Sequence, residues 1–250
     1  MEYIINNLGQ YLNTISNQYV VITSTSAVVD PPAFLTSDGS TWGWYKGDEE
    51  ATFTKDGAGL VTTWADYLAG GNDLTYYAEG TYDSTPLWEA PGTVTFTADA
   101  STELRCYNTN LIQPFAVYMV VDRKDWVSSK RIFAGWNSNC RIYSYPSTPD
   151  LQIYAGSFSV APSTDLADNT WGVVVGIFDS TNSLIQVNNN APNTGDAGTD
   201  TGSGVSFGLA GSHTNYSNAA YKEIIIRQSH DPTIELNEIV TYLMSKHSIT

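Results

Sequence analysis

The chain has 250 residues, 42% of them apolar and only 15% charged, which suffices for one large all-β domain and leaves Ser, Thr, Asn and Gly to supply most of the polar surface. Eleven basic residues against 26 acidic ones give a formal net charge of -15, and no stretch gathers the Lys or Arg needed to follow a phosphate backbone, so nucleic-acid binding is disfavoured. The same charge repels an anionic glycan or membrane unless a cation intervenes, so a neutral ligand or a protein partner fits better.

Residues 1 to 40 read as an amino-terminal anchoring arm: an amphiphilic piece from Tyr3 to Ile15, a β-rich run from Tyr19 to Val29, and then Asp30-Pro31-Pro32, whose paired prolines break any regular element. The start lacks a basic segment followed by a continuous apolar one, and nothing elsewhere approaches the ~20 apolar residues of a membrane span, so neither Sec export nor membrane insertion is expected. From about Trp42 onward, short apolar runs with two-residue alternation recur between turn signals. They include TVTFTA (93–98), FAVYMVV (115–121), RIFAGW (131–136), CRIYSY (140–145) and LQIYAG (151–156), then WGVVVGIF (171–178), LIQVN (184–188), VSFGLAG (205–211) and AYKEIIIRQ (220–228). Asn188 to Asn190 are expected to end a strand, because asparagine tolerates left-handed backbone and bonds it locally. Asn193 to Gly204 reads as a long exposed loop. Near the end, Asp231 as a cap, Pro232 at the first helical position, and Leu236, Ile239, Val240 and Leu243 at helical spacing predict one short helix packed on the sandwich. Cys106 and Cys140 could pair, but two cysteines form no disulfide framework, and free buried thiols are the favoured reading.

Three segments carry a family likeness. Trp171 to Asn189 resembles the strand–turn–strand hairpin of concanavalin A-like lectin/glucanase domains, the laminin-G-like jelly rolls, with Asn189 in place of a glycine. Gly57 to Thr75, with its Trp64, Asp66 and the turn Ala69-Gly70-Gly71-Asn72-Asp73, resembles the entry segment of such domains in bacterial and phage surface proteins. Tyr221 to Ile249 resembles their closing strand and helix, with His247 where an aromatic is common. The likeness spans about residues 42 to 250. It implies an all-β antiparallel sandwich jelly roll over residues 41–250 with one carboxy-terminal helix, and leaves the activity to the site, because this fold serves lectins, hydrolases, lyases and structural modules alike.

The chemistry of those branches is sparse here. The hydrolase branch sets alternating carboxylates on one strand, whereas Asp48-Glu49-Glu50 are adjacent and read as a solvated turn. A lyase branch has Gln-Ile-His on a central strand; here Gln152-Ile153-Tyr154 puts tyrosine in the histidine's place, without the matching arginine-rich strand, and strand packing is favoured for it. His213, His230 and His247 lack metal-ligand spacing and read as surface or turn residues, and no nucleophile elbow or phosphate loop is present. No catalysis is expected. Asp196 and Asp200 in a glycine-rich loop are the one weak suggestion of calcium, against the plainer reading that Asp and Gly make loops; Asp66, Asn72 and Asp73 read likewise as turn caps. No cofactor is otherwise expected. Sugar binding needs an aromatic plate beside amide or carboxylate groups. The candidates are Trp126, Trp136 with Asn137 and Asn139, and Tyr216, set against the alternative that these aromatics cover sandwich ends or meet another subunit.

The reading that follows is a non-catalytic lectin-like structural or adhesive subunit of a bacteriophage virion, homo-oligomeric, whose partners are other virion proteins, copies of itself or a cell-surface glycan. A free-standing carbohydrate-binding module is the alternative, and a glycan lyase or hydrolase the third.

Overall fold

The computed structural model describes residues 3–5, 11–15, 18–22, 29–76, 85–97, 102–125, 130–135, 139–144, 150–157, 160–208 and 217–250. They belong to two units, Met1–Asp30 and Pro31–Thr250. The smaller holds a three-stranded antiparallel sheet of β1 (Tyr3–Ile5), β2 (Tyr11–Ile15) and β3 (Gln18–Ile22).

The larger unit opens on a single helical turn, α1 (Phe34–Ser37), and continues through β4 (Thr41–Lys46), β5 (Phe53–Lys55), β6 (Val61–Trp64), β7 (Leu74–Tyr76), β8 (Leu87–Glu89) and β9 (Thr93–Phe96). Next come β10 (Leu104–Leu111), β11 (Phe115–Asp125), β12 (Arg131–Ala134), β13 (Arg141–Ser144), β14 (Leu151–Tyr154) and β15 (Trp171–Phe178). The chain closes with β16 (Ser183–Val187), β17 (Asn193–Gly195), β18 (Gly202–Phe207), β19 (Asn218–Arg227) and helix α2 (Thr233–Lys246). Two antiparallel sheets result, a jelly-roll sandwich. One runs β14-β13-β12-β18-β10-β7-β6-β5; the other runs β17-β16-β15-β11-β19-β9-β8, with β4 also paired to β19.

Alternation decides which residues fill the space between them. Leu104 and Cys106 of β10, Val205 and Phe207 of β18, and Ile142 of β13 join Val117, Met119 and Val121 of β11 and Ile224 and Ile226 of β19 in one buried cluster. The intervening residues of β11 and β15, including Tyr118, Val120, Val173 and Val175, are also buried, because α2 packs on these two strands. Its Leu236, Ile239, Val240 and Leu243 supply the apolar stripe expected from their spacing. Burial on both faces explains why FAVYMVV and WGVVVGIF read as continuous apolar runs.

Local readings come through in detail. Asp66 accepts hydrogen bonds from the backbone N–H groups of Trp44, Leu68 and Gly70, and Asp73 accepts from Asp66 N–H. Asn188 has φ of 52°, and its side chain accepts from Val173 N–H, closing the β15–β16 hairpin. Both cysteines are free and buried. The expected helix cap needs correcting: Pro232, not Asp231, occupies the N-cap position, without a side-chain cap bond. Asp231 is turned inward, where Arg227 Nε donates to both its oxygens at 2.8 Å and Tyr118 OH donates at 2.7 Å. Arg227 Nη2 also donates to Asp38 at 2.8 Å, which ties the segment before β4 to β19.

Removing one partner of a buried ionic network leaves the others uncompensated. Arg227→Ala should therefore lower the unfolding free energy by about 3–5 kcal/mol in chemical denaturation, and a loss below about 1 kcal/mol contradicts this account.

Candidate functional site

A cleft of about 470 Å³ opens where three parts of the sandwich meet the end of α2. Asp48 and the turn Pro91 to Thr93 form one side, Trp171 and Lys222 another, and Lys246, His247 and Ser248 the third. The backbone at its base is tightly joined. Gly47 N–H donates to Lys222 C=O at 2.7 Å, and a side chain at Gly47 would bring its Cβ within 2.3 Å of the Gly92 carbonyl oxygen.

A β-bulge aims the side chains. On β19, Glu223 lies opposite Val120 and Tyr221 opposite Val121, which leaves Lys222 as the extra, unpaired residue. Tyr221 therefore enters the core, where its hydroxyl donates to Ile132 C=O at 2.7 Å. Lys222 turns into the cleft with its ammonium 4.4 Å from the centre of the Trp171 ring, within range of a cation–π contact. Glu223 is directed toward the end of α2 and is fully buried.

Glu223 holds the cleft's third side in place. One oxygen accepts from Trp44 Nε1 at 2.7 Å and Tyr242 OH at 3.1 Å; the other meets Lys246 Nζ at 2.8 Å and His247 Nε2 at 2.7 Å. A carboxylate is acceptor-only, so Nε2 is the protonated nitrogen of that imidazole. Burial works to raise the Glu223 pKa, but the hydrogen bond from His247 and the charge of Lys246 outweigh it and leave it below the ordinary value. The same pairing raises the Lys246 pKa despite burial. With four donors and a depressed pKa, Glu223 is an anchor rather than a proton carrier. Lys246 also reaches Asp48 at 3.1 Å, so two ammonium groups face two carboxylates around the cleft and its charge is balanced.

The residues singled out from sequence fare differently. Trp126, Trp136, Asn137 and Tyr216 lie outside the described residues; Asn139 is exposed just before β13 and does not line the cleft. His247, read as a surface or turn residue, is instead packed against Glu223, and exposed His230 pairs with Asp179 at 2.7 Å. Trp171, read only as the start of a strand, is the aromatic wall. The available signal was Lys222-Glu223, two charges side by side within an apolar strand, which cannot both follow a two-residue alternation.

No protein-family model matches the chain, and no curated protein matches it in sequence. Solved structures do. The botulinum neurotoxin serotype C1 binding domain superposes with a TM-score of 0.56 at 14% identity, over 82% of this chain and 52% of that one. The botulinum neurotoxin type G receptor-binding domain gives 0.53 at 11% identity, over 82% and 51%. Trypanosoma rangeli sialidase gives 0.52 at 12% identity, over 80% and 32%. At such identities the likeness defines the class as a β-sandwich fold and nothing finer. The chain spans about half the length of the toxin chains and a third of the sialidase.

The depressed Glu223 pKa has a signed consequence. Its stabilisation is complete above the ordinary glutamate pKa, about 4.3, and is lost as pH falls through the lower folded-state value. Glu223→Gln should melt below the parent protein at pH 7, with the gap narrowing below about pH 4.3. A gap that stays constant from pH 7 to pH 2 contradicts the assignment.

Proposed function

We propose that this chain is a non-catalytic, lectin-like binding module whose cleft beside α2 takes a neutral sugar. The observation that carries the reading is the arrangement around Trp171: an indole wall for the apolar side of a ring, with the Lys222 ammonium, the Asp48 carboxylate and the hydroxyls of Thr93 and Ser248 bordering the same space. Balanced charge suits an uncharged ligand with many hydroxyls, and Glu223, saturated by its donors, offers no group poised for acid–base chemistry. The fold is shared with proteins that handle glycans: cell entry of botulinum neurotoxin type C depends on two ganglioside molecules, and the DC binding domain is described in complex with SialylT. The setting we propose is that of an adhesive, homo-oligomeric subunit in a bacteriophage particle. Support for this comes from the resemblance of Gly57–Thr75 and Tyr221–Ile249 to segments of phage surface domains. Binding in the cleft is proposed to need no metal.

A glycan array probed with the full chain, with calcium and with a chelator, tests the reading. Specific retention of a neutral glycan, unchanged by chelation and weakened about tenfold or more by Trp171→Ala, is the expected result. Trp171→Ala should remain folded, as judged by its unfolding midpoint. An array without neutral-glycan binding, or cleavage of a bound glycan, overturns it.

A further inference from the structure

Of the chain's six lysines, three are held by carboxylates: Lys55 by Glu50 at 2.6 Å, Lys124 by Asp122, and Lys246 by Glu223 at 2.8 Å and Asp48 at 3.1 Å. Among the described residues, no carboxylate lies within ion-pair reach of Lys46, Lys130 or Lys222. Lys46 is sealed in: it is 8% exposed, and its ammonium sits 3.5 Å from the Tyr67 ring centre and 4.2 Å from that of Trp44. Lys130 precedes β12 and does not line the α2 cleft. Lys222 is half-buried, has no acceptor among the described residues, and stands in the wall of that cleft of about 470 Å³.

The fold both creates this placement and leaves it uncompensated. Lys222 is the extra residue of the β19 bulge, and its ammonium lies 4.4 Å from the centre of the Trp171 ring. Trp171 stands opposite Asp122 across β15 and β11. Asp122 is the carboxylate whose charge reaches Lys222, but it is 2% exposed and engaged by Lys124. Burial therefore outweighs the Asp122 charge and holds the Lys222 pKa below the ordinary lysine value. The other charged side chains bordering the cleft are Asp48 and Lys246, which satisfy one another at 3.1 Å, and the titratable His247, which is held by Glu223 at 2.7 Å. An amine partly desolvated against an indole, with no carboxylate of its own, is in the setting that makes a lysine a nucleophile.

We propose that Lys222 is a carbonyl-reactive amine that captures small neutral hydroxyaldehydes entering the cleft, holding them as an imine. The neutral Nζ gives its lone pair to the aldehyde carbon, and the carbonyl oxygen takes up a proton to become a hydroxyl. That hydroxyl gains a second proton from water and leaves as water, while the nitrogen gives up a proton and the C=N bond forms; nothing is oxidised or reduced. When protonated, the imine keeps its positive charge beside Trp171, so the cation–π contact survives the reaction. The hydroxyls of Thr93 and Ser248 and the carboxylate of Asp48 border the same space and can meet the hydroxyls of such a ligand. The inference uses the cleft but does not rest on the sugar reading, because retention of a glycan without an aldehyde and capture of an aldehyde are independent events.

Treating the full chain with glyceraldehyde and cyanoborohydride at pH 7, and then mapping the modified peptides, tests it. The hydride reductant turns each imine into a stable secondary amine, so the label records the rate of capture at each lysine. Lys222 should be labelled about threefold or more faster than Lys55, Lys124 or Lys130, and its rate should level off below the ordinary lysine pKa of about 10.4. The preference should vanish in denaturant. Lys222→Arg should remove the fast label and leave the other rates unchanged. Asp122→Asn should speed labelling of Lys222 by about twofold or more, because it takes away the charge that favours the ammonium; if that buried substitution unfolds the protein, the pH profile of the parent decides the matter. Lys222 labelled no faster than the other three lysines, a rate that keeps rising into the ordinary lysine range, or the same preference in denaturant overturns the proposal. The array, whose glycans are linked through their reducing ends, reports on the sugar reading separately.

Discussion

The constraint on which the rest depends is the burial of β11, β15 and β19 on both faces. One face of these strands meets the opposite sheet and the other meets α2, so any polar side chain that points toward the helix is removed from water and must find its partners within the protein. β19 places two charged groups in that position, Glu223 and Arg227, four residues apart and therefore on one side of the strand. Arg227 engages Asp231 and Glu235 at the start of α2, and Glu223 engages Tyr242, Lys246 and His247 at its end. Apolar packing gives the helix its affinity for the sheet; these two clusters fix where it lies along the sheet. The cleft is a by-product of that registration, because its third side is the end of α2.

How much of this the sequence discloses depends on the range over which each feature is encoded. Period-two alternation is local, so most of the long strands, the central place of FAVYMVV, the helix stripe and the Asp66–Asp73 turn are legible. Strand β10 is not: Arg105, Tyr107, Asn108 and Asn110 interrupt its apolar residues, so LRCYNTNL lacks the density of a core strand. The cap at α2 is misread because Asp231 has two uses, and a buried arginine four residues earlier claims it from the local one. The cleft is legible only in fragments. Asp48, Trp171, Lys222 and Lys246 are far apart in the chain, and what unites them is a bulge visible only once β11 and β19 are paired. The aromatics chosen as sugar plates stand beside apparent strands, and four of the five chosen residues lie outside the described structure.

The placing of three arginines on one sheet is hidden in the sequence for a topological reason. Arg105, Arg131 and Arg141 sit on strands whose order is β10-β18-β12-β13, so β18, more than sixty residues further along the chain, is inserted between the first arginine and the other two. A total of -15 describes the far field and governs solubility and long-range steering, but within a Debye length of about 10 Å a ligand responds to the nearest groups.

The same reasoning limits what the structural likenesses carry. Toxin binding domains and a sialidase share this sandwich with the present chain at 11 to 14% identity, and a sandwich of this kind holds binders and enzymes alike because its scaffold is set by inward residues, while ligands meet outward ones. What distinguishes the two outcomes is whether an outward group is left able to exchange a proton. Glu223 has four donors and a lowered pKa; Tyr221 and Tyr118, whose pKa values burial raises further, are committed to Ile132 and Asp231. The titratable groups that the fold buries most deeply are used to hold elements together.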